Sequence, residues 1–192
     1  MGTEKFKKMF EISMRFEKGN RVNGYVKDPD DSGGETVYGI TRKNFPNLKV
    51  WASLDKLKGI VAKRGYKIPH DEMEEIEGVY YRKFYQKANI EAFEDCALGM
   101  QIFDCSINCG ISRAVKMIQS ILHITVDGVC GSQTVTTANI RNSKSLREAY
   151  RNARIAYYQS ISKKGNNKKY LKGWANTAKE RDKEYWGKYK IS

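Results

Sequence analysis

The sequence predicts a mainly helical protein of the α+β class, with one small β-hairpin near the N-terminus. Apolar residues recur at helical spacing in several segments. Short extended pieces separated by turn residues occur only between positions 24 and 41. The 192 residues are 40% apolar and 11% aromatic, which is enough for a well-packed core and argues against disorder.

The first predicted helix runs from Lys5 to Lys18. Its apolar stripe continues to Glu17, which lies seven residues after Phe10 and therefore about 700° further around the helix. Both side chains are expected on the same face. The stripe comprises Phe6, Met9, Phe10, Ser13 and Met14.

The next elements are a hairpin and two helices. Residues 25–26 and 37–40 are expected to pair around an acidic loop that contains two glycines. A helix over Leu54–Lys63 is predicted from weak periodicity. A stronger helix is predicted over Asp71–Lys87, because acids occupy its first turn and bases its last.

The segment Cys96–Cys109 is apolar on nearly every face, which predicts a helix at the centre of a fold. Its polar exceptions, Asp104 and Asn108, are four residues apart and share a face. They either form internal hydrogen bonds, form a solvent-facing strip, or line a substrate groove. Three helices are expected next, opening at Ser112, Ser132 and Ser145, then a loop over 162–169 and a last helix with Trp174, Tyr185 and Trp186.

The charge balance is strongly basic, with 35 Lys and Arg against 22 Asp and Glu, a net charge of +13. Such a field favours polyanionic partners. The basic residues are spread along the chain and form no nucleic-acid-binding motif, so no nucleic-acid partner is predicted. The sequence shows neither a signal-peptide pattern nor an apolar run of about 20 residues, so we expect synthesis in the cytoplasm and no transmembrane segment.

Metal binding is not predicted. The four cysteines form no C-x-x-C pair and only two histidines are present, so buried free thiols are expected rather than a zinc site. A calcium loop is the nearest competitor, because Asp28, Asp30, Ser32 and Gly33 fit its positions 1, 3, 5 and 6. Position 12 requires glutamate and is Gly39 here. No cofactor is therefore expected.

Glu17 is the candidate general acid. Apolar neighbours and the negative end of the helix dipole both disfavour a charged carboxylate, which suits a group that must protonate a glycosidic oxygen. Acids on the following loop could supply the second carboxylate of such a reaction. The alternatives are a side chain turned to solvent or paired with Arg21, and loop aspartates that only form turns.

The loop sequence resembles glycoside hydrolase family 108, the N-acetylmuramidases once called secretion activators. Residues 25–41 read Tyr-Val-Lys-Asp-Pro-Asp-Asp-Ser-Gly-Gly-Glu-Thr-Val-Tyr-Gly-Ile-Thr, close to the family's front segment. The second half resembles the peptidoglycan-binding-like module that accompanies it. The matching positions there are Phe103-Asp104, Asn108-Cys109-Gly110, Arg113-Ala114, Met117-Ile118-Gln119, residues 127–131 and Lys172-Gly173-Trp174.

This resemblance implies a lysozyme-like fold, with Glu17 at the catalytic glutamate although about five extra residues follow it. It favours Asp28, then Asp31, as the second carboxylate, and Thr36 and Tyr38 as groove residues. A catalytic region over 1–95 and a peptidoglycan-binding-like region over 96–192, packed as one globule, are expected.

By the same resemblance, the expected activity is hydrolysis of the β-1,4 bond after N-acetylmuramic acid. The expected partners are peptidoglycan glycan strands and anionic cell-wall polymers, met by a monomer at the cell wall after release or export. The alternative is a non-catalytic wall-binding or secretion-associated protein with the same fold.

Overall fold

The computed structural model describes residues 2–18, 22–27 and 34–163. The chain divides into two compact units, Met1–Arg82 and Lys83–Ser192. Both are built mainly from helices, and the only sheet in the described part of the chain is small and lies in the first unit. The predicted fold class is confirmed.

The first unit begins with helix α1, Glu4–Lys18. Its predicted stripe is buried, with Phe6 and Met9 fully enclosed and Phe10 only 6% exposed. Phe6 packs edge-on against Tyr81, and Phe10 packs against Tyr80. The periodicity of the sequence therefore placed the correct face of α1 towards the core.

The sheet has three antiparallel strands in the order β1 (Val26–Lys27), β2 (Glu35–Val37) and β3 (Ile40–Thr41). The prediction of one strand over residues 37–40 was wrong. Tyr38 and Gly39 both adopt positive φ, +46° and +76°, which reverses the chain in a two-residue turn. Thr36 consequently lies between Val26 and Thr41 in the register.

Three helices complete the first unit: α2 (Lys49–Asp55), α3 (Gly59–Gly65) and α4 (His70–Tyr80). The single helix predicted over residues 54–63 was wrong. The chain breaks after α2, and Gly59 enters α3 with φ +80°. The helix predicted over residues 71–87 is α-helical only to Tyr80, and Tyr81–Gln86 continue as a π-helix.

The second unit has a central helix, α5, at Cys96–Cys109, the bounds that the sequence predicted. Every residue from Leu98 to Ser106 is buried. Helix α5 packs against α6 (Ile111–Leu122) and α8 (Ser143–Ser162), and α7 (Ser132–Asn139) packs against α6 and α8. A short 3₁₀ turn, Ile90–Ala92, precedes α5.

The helix starts differ from the predicted caps. Gly110 and Gly131 precede α6 and α7 where Ser112 and Ser132 were expected as caps. Asn142 caps α8 by accepting a hydrogen bond from the Ser145 amide. The loop predicted over residues 162–169 falls almost wholly, and the last helix wholly, outside the described residues.

Within the ranges given above, no helix combines the length and apolar character needed to cross a membrane.

Candidate functional site

Glu17 occupies the last turn of α1 and is half-buried. Its predicted neighbours on the same helix face are buried, with Ser13 at 0% and Met14 at 5% exposed. The carboxylate therefore lies at the edge of an apolar core. The alternative partner Arg21 lies outside the described residues.

Gly39, in the turn between β2 and β3, lies next to the Glu17 carboxylate. A β-carbon built on Gly39 would lie 3.0 Å from Glu17 Oε2 and 2.9 Å from the Tyr80 hydroxyl. Both distances are too short for a carbon atom in ordinary packing. The turn between β2 and β3 can approach the carboxylate this closely only because position 39 has no side chain.

The turn itself is held by two hydrogen bonds to the backbone of Tyr38. The Tyr80 hydroxyl donates to the Tyr38 carbonyl at 2.6 Å, and the Tyr38 amide donates to the Asn23 carbonyl at 3.0 Å. Burial raises the pKa of the Tyr38 phenol. A non-glycine residue at positive φ is uncommon and strained, so these contacts fix a conformation that the local sequence does not favour.

The acidic loop between β1 and β2 carries Asp28 and Asp31, and both lie outside the described residues, as does the rest of the calcium-like pattern up to Gly33. Their predicted catalytic role stays a prediction. The structure does describe the two strands from which this loop departs, since Lys27 pairs with Glu35 in the register.

Glu35, at the end of that loop, is the centre of a charged cluster that the sequence did not reveal. Its carboxylate accepts hydrogen bonds from Tyr25 (2.6 Å), Arg42 (2.8 Å) and Lys63 (3.0 Å). Burial alone would raise the pKa of Glu35, but these hydrogen bonds outweigh it and lower the pKa to about 2. Arg42 also forms a bidentate pair with Asp55. The cluster ties the sheet to α2 and α3.

A groove of about 470 Å³ lies along α1 and α4. It is lined by side chains of both helices and by Tyr38, the residue before Gly39. The two-residue turn therefore contacts both sites, since Tyr38 lines the groove and Gly39 lies against the Glu17 carboxylate. No local sequence pattern predicted this groove, because the two helices that form it are more than fifty residues apart in the chain.

The predicted groove residues occupy different environments. Thr36 is half-buried on β2, beside Thr41. Asp104 is fully buried in the second unit, where Arg154 pairs with it at 2.5 Å. Asn108 donates to the Asp104 backbone carbonyl at 2.8 Å. This placement of Asp104 and Asn108 fits the internal hydrogen-bonding alternative.

Among the described residues, no cluster of three or more His, Cys, Asp or Glu side chains has an arrangement suited to a metal ion. The four cysteines are free thiols, with Cys105 and Cys130 buried and Cys96 and Cys109 half-buried.

Two family models match the chain. Residues 19–110 match the model for glycosyl hydrolase 108, and residues 113–179 match the model for a predicted peptidoglycan domain. The first match runs past the boundary between the compact units and begins two residues after Glu17. No curated protein matches the chain.

One solved structure similar to this chain is that of Brucella abortus SagA. The two share 21% sequence identity and a TM-score of 0.69, over 97% of this chain and 99% of that chain. At this identity the likeness concerns the fold, and it extends over nearly the whole length of both proteins.

Proposed function

Because this chain combines a glycosyl hydrolase 108 region with a predicted peptidoglycan domain, we propose that it is a peptidoglycan hydrolase of the N-acetylmuramidase type. The two matches support a glycosidase that acts on the cell wall. The finer proposal is that it cuts the β-1,4 bond between N-acetylmuramic acid and N-acetylglucosamine.

The observation that carries the proposal is the setting of Glu17. It is a half-buried carboxyl group at the C-terminal end of a helix, above an apolar stripe and against a glycine turn. In the proposed reaction, Glu17 donates its proton to the leaving glycosidic oxygen.

A second carboxylate completes the proposed mechanism. We assign it to Asp28, with Asp31 as the next choice, to activate water or to stabilise the oxocarbenium-like transition state. Thr36 and Tyr38 are the proposed substrate contacts of the sheet. The Glu35 cluster supports this arrangement, because it anchors the strand that follows the loop carrying both aspartates.

The basic charge of the protein supports action on an anionic wall. A net charge of +13 attracts phosphate- and carboxylate-bearing polymers, and this attraction is screened by salt. Binding to purified walls should therefore weaken between about 50 and 500 mM salt, where the Debye length falls from roughly 14 to 4 Å.

The test is digestion of purified peptidoglycan followed by identification of the new reducing ends. The proposal expects muramic acid at those ends, and N-acetylglucosamine at the ends would contradict it. Asp28→Asn and Asp31→Asn are compared in the same assay, and the larger rate loss identifies the second carboxylate. A protein that binds peptidoglycan without releasing any reducing ends would instead be the non-catalytic wall-binding alternative.

A further inference from the structure

We propose that the groove along α1 and α4 binds the stem peptide of peptidoglycan, so that the enzyme prefers glycan strands that still carry their peptides. This inference rests on the proposed function and extends it to the substituent that lies beside the cleaved sugar chain.

The volume and the apolar lining of the groove suit a short peptide. Its volume of about 470 Å³ lies within the range of ligand pockets, roughly 300–1,000 Å³. Phe10, Met14 and Met73 supply an apolar lining, and the first two are almost completely buried. Such a surface favours small aliphatic groups, such as the alanine methyl groups that stem peptides carry.

The charges of the groove set the chemistry of its occupant. Arg15 binds Glu11 within the groove at 2.6 Å, and His70 lies 3.8 Å from Glu74, an ion pair only when the histidine is protonated. Lys7 and Glu77 also line the groove, and neither side chain has an ion-pair or hydrogen-bond partner within residues 2–18, 22–27 and 34–163. Among the described residues that line it, the groove therefore presents one unpaired cation, Lys7, and one unpaired anion, Glu77. A further carboxylate, Glu74, is paired only with a histidine.

A ligand that bears both charges would complement Lys7 and Glu77 together. An uncross-linked stem peptide has free carboxylates and a free amino group, whereas a bare glycan of N-acetyl sugars has no amino group to offer. Complementary charges in a binding site contribute more to the choice between ligands than to the affinity for any one of them. The groove is thus matched to the peptide rather than to the sugar backbone.

Tyr38 connects this groove to the Glu17 position. Its side chain lines the groove, and the next residue, Gly39, lies against the Glu17 carboxylate. The strained φ of +46° at Tyr38 is maintained by the hydrogen bond from the Tyr80 hydroxyl to its carbonyl. A peptide that contacts Tyr38 would therefore lie one residue away from the turn that faces the proposed acid.

The test compares two soluble substrates, glycan strands with stem peptides and the same strands after an amidase has removed the peptides. We expect kcat/KM of the wild type to be about tenfold higher for the peptide-bearing strands, the effect of a single well-placed charge contact. The double variant Lys7→Gln, Glu77→Gln should lower this ratio towards one. Glu4→Gln and Lys56→Gln, which alter exposed charges outside the groove, should keep it.

Each outcome separates the inference from the proposed function. Equal rates of the wild type on both substrates would overturn the inference and leave the hydrolase intact. A double variant that slows on both substrates in parallel, with an unchanged ratio, would also overturn it. Cleavage of neither substrate by the wild type would overturn the proposed function itself.

Discussion

The carboxylate of Glu17 lies against the backbone of Gly39, with Oε2 3.0 Å from the position that a β-carbon on Gly39 would take. The acid at the end of the first helix and the turn of the small sheet are thus in contact, although twenty-one residues separate them in the chain. This contact links the stability of the turn to the geometry of the proposed site.

Gly39→Ala should destabilise the protein and reduce its lytic activity. The new methyl group would meet the Tyr80 hydroxyl at 2.9 Å as well as Glu17, and alanine disfavours the φ of +76°. Gly34→Ala is the matched control, because Gly34 has a similar φ of +71° with nothing within 4 Å of the new carbon. The control should lose about 1–2 kcal/mol from the backbone alone. Urea unfolding should show a larger loss for Gly39→Ala, and equal losses would contradict the close approach.

Glu35 should make the stability of the protein depend on pH below about 4.5. Its pKa is lowered from 4.5 to about 2 in the folded state, so its contribution is complete above pH 4.5 and disappears as the pH falls through 2. After allowance for solvent screening, that contribution is on the order of 2 kcal/mol. Thermal unfolding between pH 2 and 7 should show a flatter pH profile for Glu35→Gln than for Glu4→Gln. Parallel profiles would disprove the role of the cluster.

Removing one partner of the buried Asp104–Arg154 ion pair should strongly destabilise the protein. Asp104→Ala would leave Arg154, 4% exposed, without its carboxylate partner, and such changes lose about 3–5 kcal/mol. Replacing both partners, Asp104→Leu with Arg154→Met, should recover much of this stability. Denaturant titration of the single and double variants measures the difference. A double variant no more stable than Asp104→Ala would refute this account.

Cys109 should be the most readily alkylated of the cysteines whose pKa is shifted. A hydrogen bond from Cys105, together with the Tyr158 hydroxyl and the charge of Arg154, lowers the pKa of Cys109 to about 7 against the opposing effect of burial. Burial raises the pKa of Cys130 to about 12. Labelling of the native protein with iodoacetamide should be half-maximal near pH 7 at Cys109, as judged by peptide mass and by its loss in Cys109→Ser. Faster labelling of Cys130 would contradict this environment.

The sequence predicted the elements in which the apolar pattern extends over many residues. The stripe of α1 extends over three turns, and the apolar run of Cys96–Cys109 covers a whole helix, so both could be read directly. The same periodicity placed Glu17 on the buried side. These are properties of single segments, because the buried face of α1 follows from its periodicity and the burial of α5 from its apolar composition.

The missed features depend on contacts between distant segments. Tyr38 has a positive φ, which a tyrosine in the sequence does not predict. The conformation is stabilised by a hydrogen bond from the Tyr80 hydroxyl, which belongs to helix α4. Lys7 and Glu77 are seventy residues apart in the chain but line one groove. No local pattern brings such residues together, so the groove and the Glu35 cluster required the structure.

The proposed role of Glu17 as the general acid is tested by the rate at which Glu17→Gln cleaves peptidoglycan, compared with the wild type and with Glu4→Gln. Glutamine keeps the shape of the side chain and removes the transferable proton, so the rate should fall by about a hundredfold or more while the fold and wall binding persist. Glu4→Gln, an exposed change at the start of the same helix, should cleave at the wild-type rate. A Glu17→Gln protein that cleaves peptidoglycan as fast as the wild type would contradict the account.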